Sequence, residues 1–408
     1  MPHRLDETFR RLGDDVESRW RATTFDEDAF AEIARSMLCE RCEDLKLDPI
    51  SLLRWVTGAP RLPHQRNLSS KFGEPPICVY ENERFYIELL FWLDGTTTIH
   101  EHAFVGAFTV VSGSSIHTRY RFQEREAVSP QVKLGEVTFE NAELLRAGDS
   151  RAIVAGPAFI HALFHLDRPS VSMVVRTSAL NTKLPQLQYL PPALGIDPFC
   201  YPEATRRRIE ALRALLKLHD ESALDAATDI IDHGDLLTAY HVIDQWLALR
   251  GDNRGLSQLL ERATRRLGGQ AAALEAMVTE EARKRNLIAR RQLIRNPEHR
   301  FLLALLLNLP DRATILDAVA QRYPEEEPVA KVVRWIGDML CVRPDDPDRF
   351  GDNLLGLPAG PATRDVCDGL LRGRTESEIV RESSAPAAEV IKRCLTIPRA
   401  RILAPLFT

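Results

Sequence analysis

His100 and His102 stand two residues apart in FWLDGTTTIHEHAFVGAFTVVSG, and His161 follows in GDSRAIVAGPAFIHALFHL. In a strand, alternate residues face the same side, so the paired imidazoles point into one space. Neutral imidazole suits iron, copper, nickel, cobalt or zinc. Three protein donors on one face would leave coordination positions open for O2 and a substrate atom. Gly95 and Gly113 bracket the pair where turns are expected. The same alternation turns Glu101 to the opposite side, away from the metal. His165 lies on the same apolar run as His161 and is either a rival ligand or a hydrogen-bonding support; the spacing from Gly148 favours His161. His117 reads as a barrel-surface residue or a support behind a ligand, and His64 as part of the mouth. His219, His233, His241 and His299 read as surface or cap residues of helices. Arg119, Arg121 and Arg176 fall on strand-like segments. An arginine inside a barrel is costly unless paired, so each is either a binding group for an anionic substrate or part of a solvated outer face.

The elements that must position these residues are legible as three regions. Residues 1–58 place apolar residues three or four apart and predict short helices packed on the barrel, with Asp26 as a helix N-cap. Residues 59–182 carry short runs rich in Val, Ile, Phe, Tyr and Thr, among them FYIELLFWL, FVGAFTVVSG, SIHTRYRF, IHALFHL and VSMVVRT. Such runs separated by Gly, Asp, Pro and Ser predict a β-sandwich or barrel. Residues 183–203 hold five prolines and read as a stiff connector. Residues 204–408 predict a series of helices, a bundle or a helical repeat. Near the C-terminus, a few short helices loosely resemble a winged-helix or peptide-recognition module; a helical cap is the simpler reading.

At the HxH segment the chain resembles the cupin superfamily and, within it, thiol dioxygenases of the cysteine dioxygenase type. The first cupin motif, a glycine followed by HxH, a glutamate and a second glycine, is matched by Gly95, His100, His102 and Gly113. Gly106 and Ala107 stand where many cupins place a metal-binding Glu. Gly148 and His161 match the second motif, with Gly156 and Pro157 displaced. The resemblance implies a jelly-roll barrel and a three-histidine metal site, holding Fe(II) or another divalent transition metal. RNLSSKF is similar to the segment that supplies the family's substrate-carboxylate arginine, which makes Arg66 a candidate catalytic residue. The likeness covers roughly residues 60–180 and departs at two places. The family's active-site Tyr falls on Arg176, a second candidate, and the Cys crosslinked to it in some members falls on Ala107.

The three regions together predict an α+β protein; its 408 residues are 44% hydrophobic and 27% charged, ordinary for a globular chain, with a net charge of −5. That balance makes no electrostatic case for nucleic acid or an anionic membrane. No apolar run has the length of a membrane span, and the charged start lacks a signal peptide's apolar core; a cytoplasmic protein is expected. Seven scattered cysteines do not form a disulfide framework. Cys39 and Cys42 make a CxxC within a helical pattern, where half-buried helix residues are a better reading than zinc or redox chemistry. The expected function is a mononuclear non-haem iron oxygenase acting with O2 on a thiol, amino-acid-like or peptide substrate. Two other classes compete. One is a non-catalytic metal- or ligand-binding cupin whose helical region takes a protein or peptide partner. The other is a 2-oxoglutarate-type peptide hydroxylase, against which His102 stands where a carboxylate would be needed.

Overall fold

The computed structural model describes residues 2–41, 47–66, 68, 72–93, 97–178, 185–200, 202–250, 253–346 and 350–408. Cys42 and Gly95 lie outside them. The expected α+β class holds: N-terminal helices, a two-sheet β-barrel region and an all-α C-terminal region.

Helices α1 (Pro2–Ala22), α2 (Glu27–Glu40) and α3 (Pro49–Gly58) come first. The Asp26 carboxylate caps α2, accepting from the Asp28 N–H at 3.1 Å. Eleven strands come next: β1 (Pro76–Glu81), β2 (Phe85–Trp92), β3 (Ile99–His100), β4 (Gly106–Ser112), β5 (Ser114–Ser129), β6 (Val132–Arg146), β7 (Ser150–Ile153), β8 (Ile160–His165), β9 (Ser170–Thr177), β10 (Gln188–Leu190) and β11 (Leu194–Ile196). One sheet runs β1-β2-β9-β4-β7, and the other, β10-β11-β6-β5-β8-β3, closes on itself. Gly113, at φ 82°, makes the turn between β4 and β5.

The apolar run of β2 is explained by burial on both faces. Phe85, Ile87, Leu89 and Phe91 pack with Phe9, Leu12, Val16, Trp20 and Phe30 of the N-terminal helices. Leu90 and Trp92 turn inward to meet Phe104, Phe108, Phe159 and Leu163. Ala107 belongs to the helix-facing layer, while Phe108 beside it faces the barrel interior.

The stretch 183–203 differs from the connector expected. Within it β10 and β11 form a hairpin, β10 pairing with β3 and β11 with β6. Pro191 and Pro192 sit in its turn, where their missing N–H groups cost the ladder nothing. Tyr189 packs with Ile99 and Ile160, and Leu190, Leu194 and Ile196 face the helical region. The strand system therefore runs on to Ile196.

The C-terminal region contains α4 (Glu203–Lys217), α5 (Ala223–Asp232), α6 (Leu236–Leu249), α7 (Asn253–Leu267), α8 (Ala272–Leu293), α9 (Pro297–Asn308), α10 (Arg312–Arg322) and α11 (Pro328–Leu340). Among the described residues, three shorter helices, Pro361–Leu371, Glu376–Glu382 and Ala387–Thr396, and a 3-10 turn at Arg401–Leu406 follow. It packs on the barrel at two places: Val132, Leu190, Leu194 and Ile196 join α4–α8, and Ile116, Phe164 and Leu166 join the later helices. Two expected surface histidines are instead buried, His241 and His299 at 7% exposure each, because α6 and α9 are apolar on most of their circumference. No helix among the described residues is long and apolar enough to cross a membrane.

Candidate metal centre

β3 and β8 bring the site together: His100 and His161 are direct partners in their antiparallel pairing. His102 lies just beyond the short β3, and its ring still turns to the same side, 4.6 Å from that of His100 and 5.0 Å from that of His161. Each of the three can offer one ring nitrogen to a group whose atoms lie within 4.8 Å of one another. All are buried, at 4%, 4% and 2% exposure. Desolvation pushes the His100 imidazolium down to about 4 and holds His102 and His161 well below the ordinary range. Near neutral pH all three rings are therefore neutral, the form that binds metal.

Hydrogen bonds decide which nitrogens are free. The Nδ1 of His100 lies 2.8 Å from the Thr98 carbonyl, which can only accept, so the proton sits there and Nε2 keeps its lone pair. That Nε2 is buried without a partner among the described residues. The Nε2 atoms of His102 and His161 are 2.9 Å apart. Two nitrogens sharing an ion at about 2.0–2.1 Å each stand about 3 Å apart when they subtend a right angle. Donor type, protonation, orphaned nitrogen and spacing all fit a divalent transition metal.

The neighbours divide by face. Glu101 turns away, as alternation predicts, and its carboxylate accepts from the Tyr189 hydroxyl at 2.7 Å. His165 stands outside the group: its ring stacks on Trp92 at 4.3 Å, and its Nδ1 pairs with Ser115 Oγ at 2.9 Å. His117 is 1% exposed, with Nε2 3.0 Å from His161 Nδ1 and Nδ1 2.8 Å from Glu143. Glu143, which sequence reasoning missed, faces His117 across the β5–β6 ladder. Only that register reveals it.

Gly106 explains the missing carboxylate ligand. A Cβ there would lie 2.1 Å from the Val175 carbonyl oxygen of β9 and 3.0 Å from the Arg176 Cα. The approach of β9 leaves no room for any side chain.

The two candidate arginines differ. Arg66 is held by Glu81 at 3.1 Å and lies over the Tyr86 ring at 4.6 Å. Arg176, opposite Gly106 on β9, stacks over Phe104 at 3.6 Å, and Phe104 in turn lies 4.5 Å from the His102 ring. No carboxylate among the described residues pairs with Arg176, and its Nε is buried without a partner. Burial lowers its pKa. Arg119 lies over Phe159 at 4.1 Å and donates to the Ala158 carbonyl, whereas Arg121 is exposed and paired with Glu140. His64 is exposed, 3.7 Å from Glu81.

No protein-family model and no curated protein matches the chain. Among solved structures, a cupin-2 domain containing protein from Shewanella frigidimarina is similar at 16% identity, over 32% of this chain and 95% of that one, with a TM-score of 0.19. The DMSP lyase of Ruegeria pomeroyi is similar at 15% identity, over 35% and 73%, with a TM-score of 0.23. Hydroquinone 1,2-dioxygenase from Sphingomonas sp. TTNP3 is similar at 14% identity, over 33% and 79%, with a TM-score of 0.21.

Proposed function

We propose that this chain is a mononuclear non-haem iron oxygenase of the cupin type, with His100, His102 and His161 as ligands. Its substrate is a thiol, amino-acid-like or peptide molecule with an anionic group, oxidised with O2. The observation that carries the reading is the buried cluster of three neutral imidazoles with nitrogens spaced for one ion. When bound, the metal supplies a redox centre with positions left open by the three protein donors.

Arg176 supports the anionic substrate. No carboxylate among the described residues forms an ion pair with this buried guanidinium, although the charge of Glu88 acts on it, and a substrate carboxylate would engage its paired N–H donors. The Phe104 and Tyr86 rings lie 3.6 and 5.2 Å from its guanidinium carbon. Arg66, already neutralised by Glu81, contributes to the charge balance of this end and positions Tyr86.

The test is metal analysis of the parent beside His100→Ala and His161→Ala, followed by O2 consumption on a panel of carboxylate-bearing thiols. The expected result is stoichiometric iron in the parent, its loss in both variants, and thiol-dependent O2 uptake. Equal metal in all three proteins removes the site. Metal without O2 uptake on any thiol leaves the site standing and removes the oxygenase.

A further inference from the structure

A chain of hydrogen bonds leaves the histidine cluster through His161. It starts at His161 Nδ1, crosses to His117 Nε2 at 3.0 Å, and passes from His117 Nδ1 to Glu143 Oε1 at 2.8 Å. Arg151 closes it, its Nε donating to the same Oε1 at 2.9 Å and its Nη2 donating to Oε2. Four residues on four strands are involved: β8, β5, β6 and β7. The inner members are 2% and 1% exposed, while the Glu143 side chain is 36% exposed. Glu143 and Arg151 help line a surface recess of about 330 Å³.

The direction of every bond is set from the outer end. An ionised carboxylate can only accept, so His117 carries its proton on Nδ1. Its Nε2 is then an acceptor, and His161 must donate from Nδ1. The lone pair of His161 is left on Nε2, the atom that faces His102. The hydrogen bond from His117 and the Arg151 pair hold the Glu143 carboxyl down to about 2, so it stays ionised throughout the neutral range.

We propose that Glu143 and His117 are positioning residues that act in series to fix the tautomer, ring orientation and donor strength of His161, with Arg151 anchoring the carboxylate. The proposal rests on the reading of His161 as a ligand. Carboxylates acting on a ligand through its second ring nitrogen are a general device; here a second histidine is interposed, and the carboxylate reaches a solvent-facing recess. The order is legible in no single segment, because the ladder that pairs His117 with Glu143 is interrupted by register shifts farther along β5.

Two measurements test it. The first uses the metal-free full-length protein with 15N-labelled imidazoles, so that its outcome is independent of metal binding. In the parent, His161 carries its proton on Nδ1. Glu143→Leu and His117→Phe lose this fixed tautomer, whereas Glu143→Gln, whose amide oxygen still accepts from His117, keeps it. The second is competition for Co(II) against a chelator, with the visible absorption of the bound ion as a signature. Glu143→Leu and His117→Phe bind about 10–100-fold more weakly with a shifted spectrum, and Glu143→Gln lies closer to the parent. An unchanged His161 tautomer in folded Glu143→Leu overturns the proposal, and so does parental Co(II) affinity and spectrum in that variant. Because Glu143 is part-exposed, this variant keeps the test open if His117→Phe fails to fold. Equal Co(II) uptake by the parent and His161→Ala counts against the ligand reading instead, a result distinct from either failure.

Discussion

At the scale of single residues, burial in the barrel opposes the ordinary charge of His165 and Arg176 as it does that of the clustered histidines. His165 is fully enclosed, stacked on Trp92, and desolvation with the nearby Arg291 pushes its imidazolium down to about 3. Its folded pKa is depressed, so its neutral form contributes stability that is complete above the unfolded value of about 6.5 and lost as pH falls toward 3. His165→Phe should flatten the loss of thermal stability between pH 6.5 and 4, a comparison of melting curves. Arg176 is the second group. Replacing it with methionine removes a buried cation that no carboxylate among the described residues pairs with, and should raise the melting temperature of the ligand-free protein. The same change should raise KM for a carboxylate substrate at least about tenfold. A melting temperature that falls, or an unchanged KM, would show that Arg176 is satisfied by the protein itself.

At the scale of elements, the close pass of β4 and β9 at Gly106 leaves no room for a side chain at that position. Gly106→Ala places a methyl group against the Val175 carbonyl and should cost about 1–3 kcal/mol through forced strand separation, measurable by denaturant titration. Gly106→Glu should fail to add a fourth ligand, leaving the metal stoichiometry without any recovered affinity. The histidine pair was readable in the sequence because strand alternation survives past the last ladder bond of β3, and His161 because a glycine-bounded apolar run marks β8. Glu143 was not, since a partner across a long hairpin depends on register, which no local pattern encodes. The β10–β11 hairpin was hidden for another reason: its strands are three residues each, too short to show alternation beside five prolines. Arg176 was visible as a departure from the family pattern, but that no carboxylate among the described residues pairs with it shows only in three dimensions.

At the scale of the whole molecule, the helical region is part of the barrel's core rather than an appendage. Ile116, Phe164 and Leu166 are 5% exposed or less and pack in one cluster with residues of the helices. Arg291 of α8, over the Phe164 ring at 4.0 Å, donates to the His165 carbonyl. Removing residues 204–408 would bare these side chains together with Val132, Leu190, Leu194 and Ile196. The shortened chain should be insoluble or lack a cooperative melting transition, as scanning calorimetry would register. A barrel that melts with parental midpoint would mean that the helices are separable.

The near-complete enclosure of the three imidazoles has a kinetic corollary. Phe72 stands 5.7 Å from the His100 ring, and among the described residues little of the three rings meets solvent. An ion seated there would escape only as often as the chain opens. Extraction by a chelator should therefore proceed at a rate that levels off as chelator concentration rises, set by the protein's own breathing and not by the competitor's strength. Equilibrium affinity and retention time would then be tuned by different parts of the molecule.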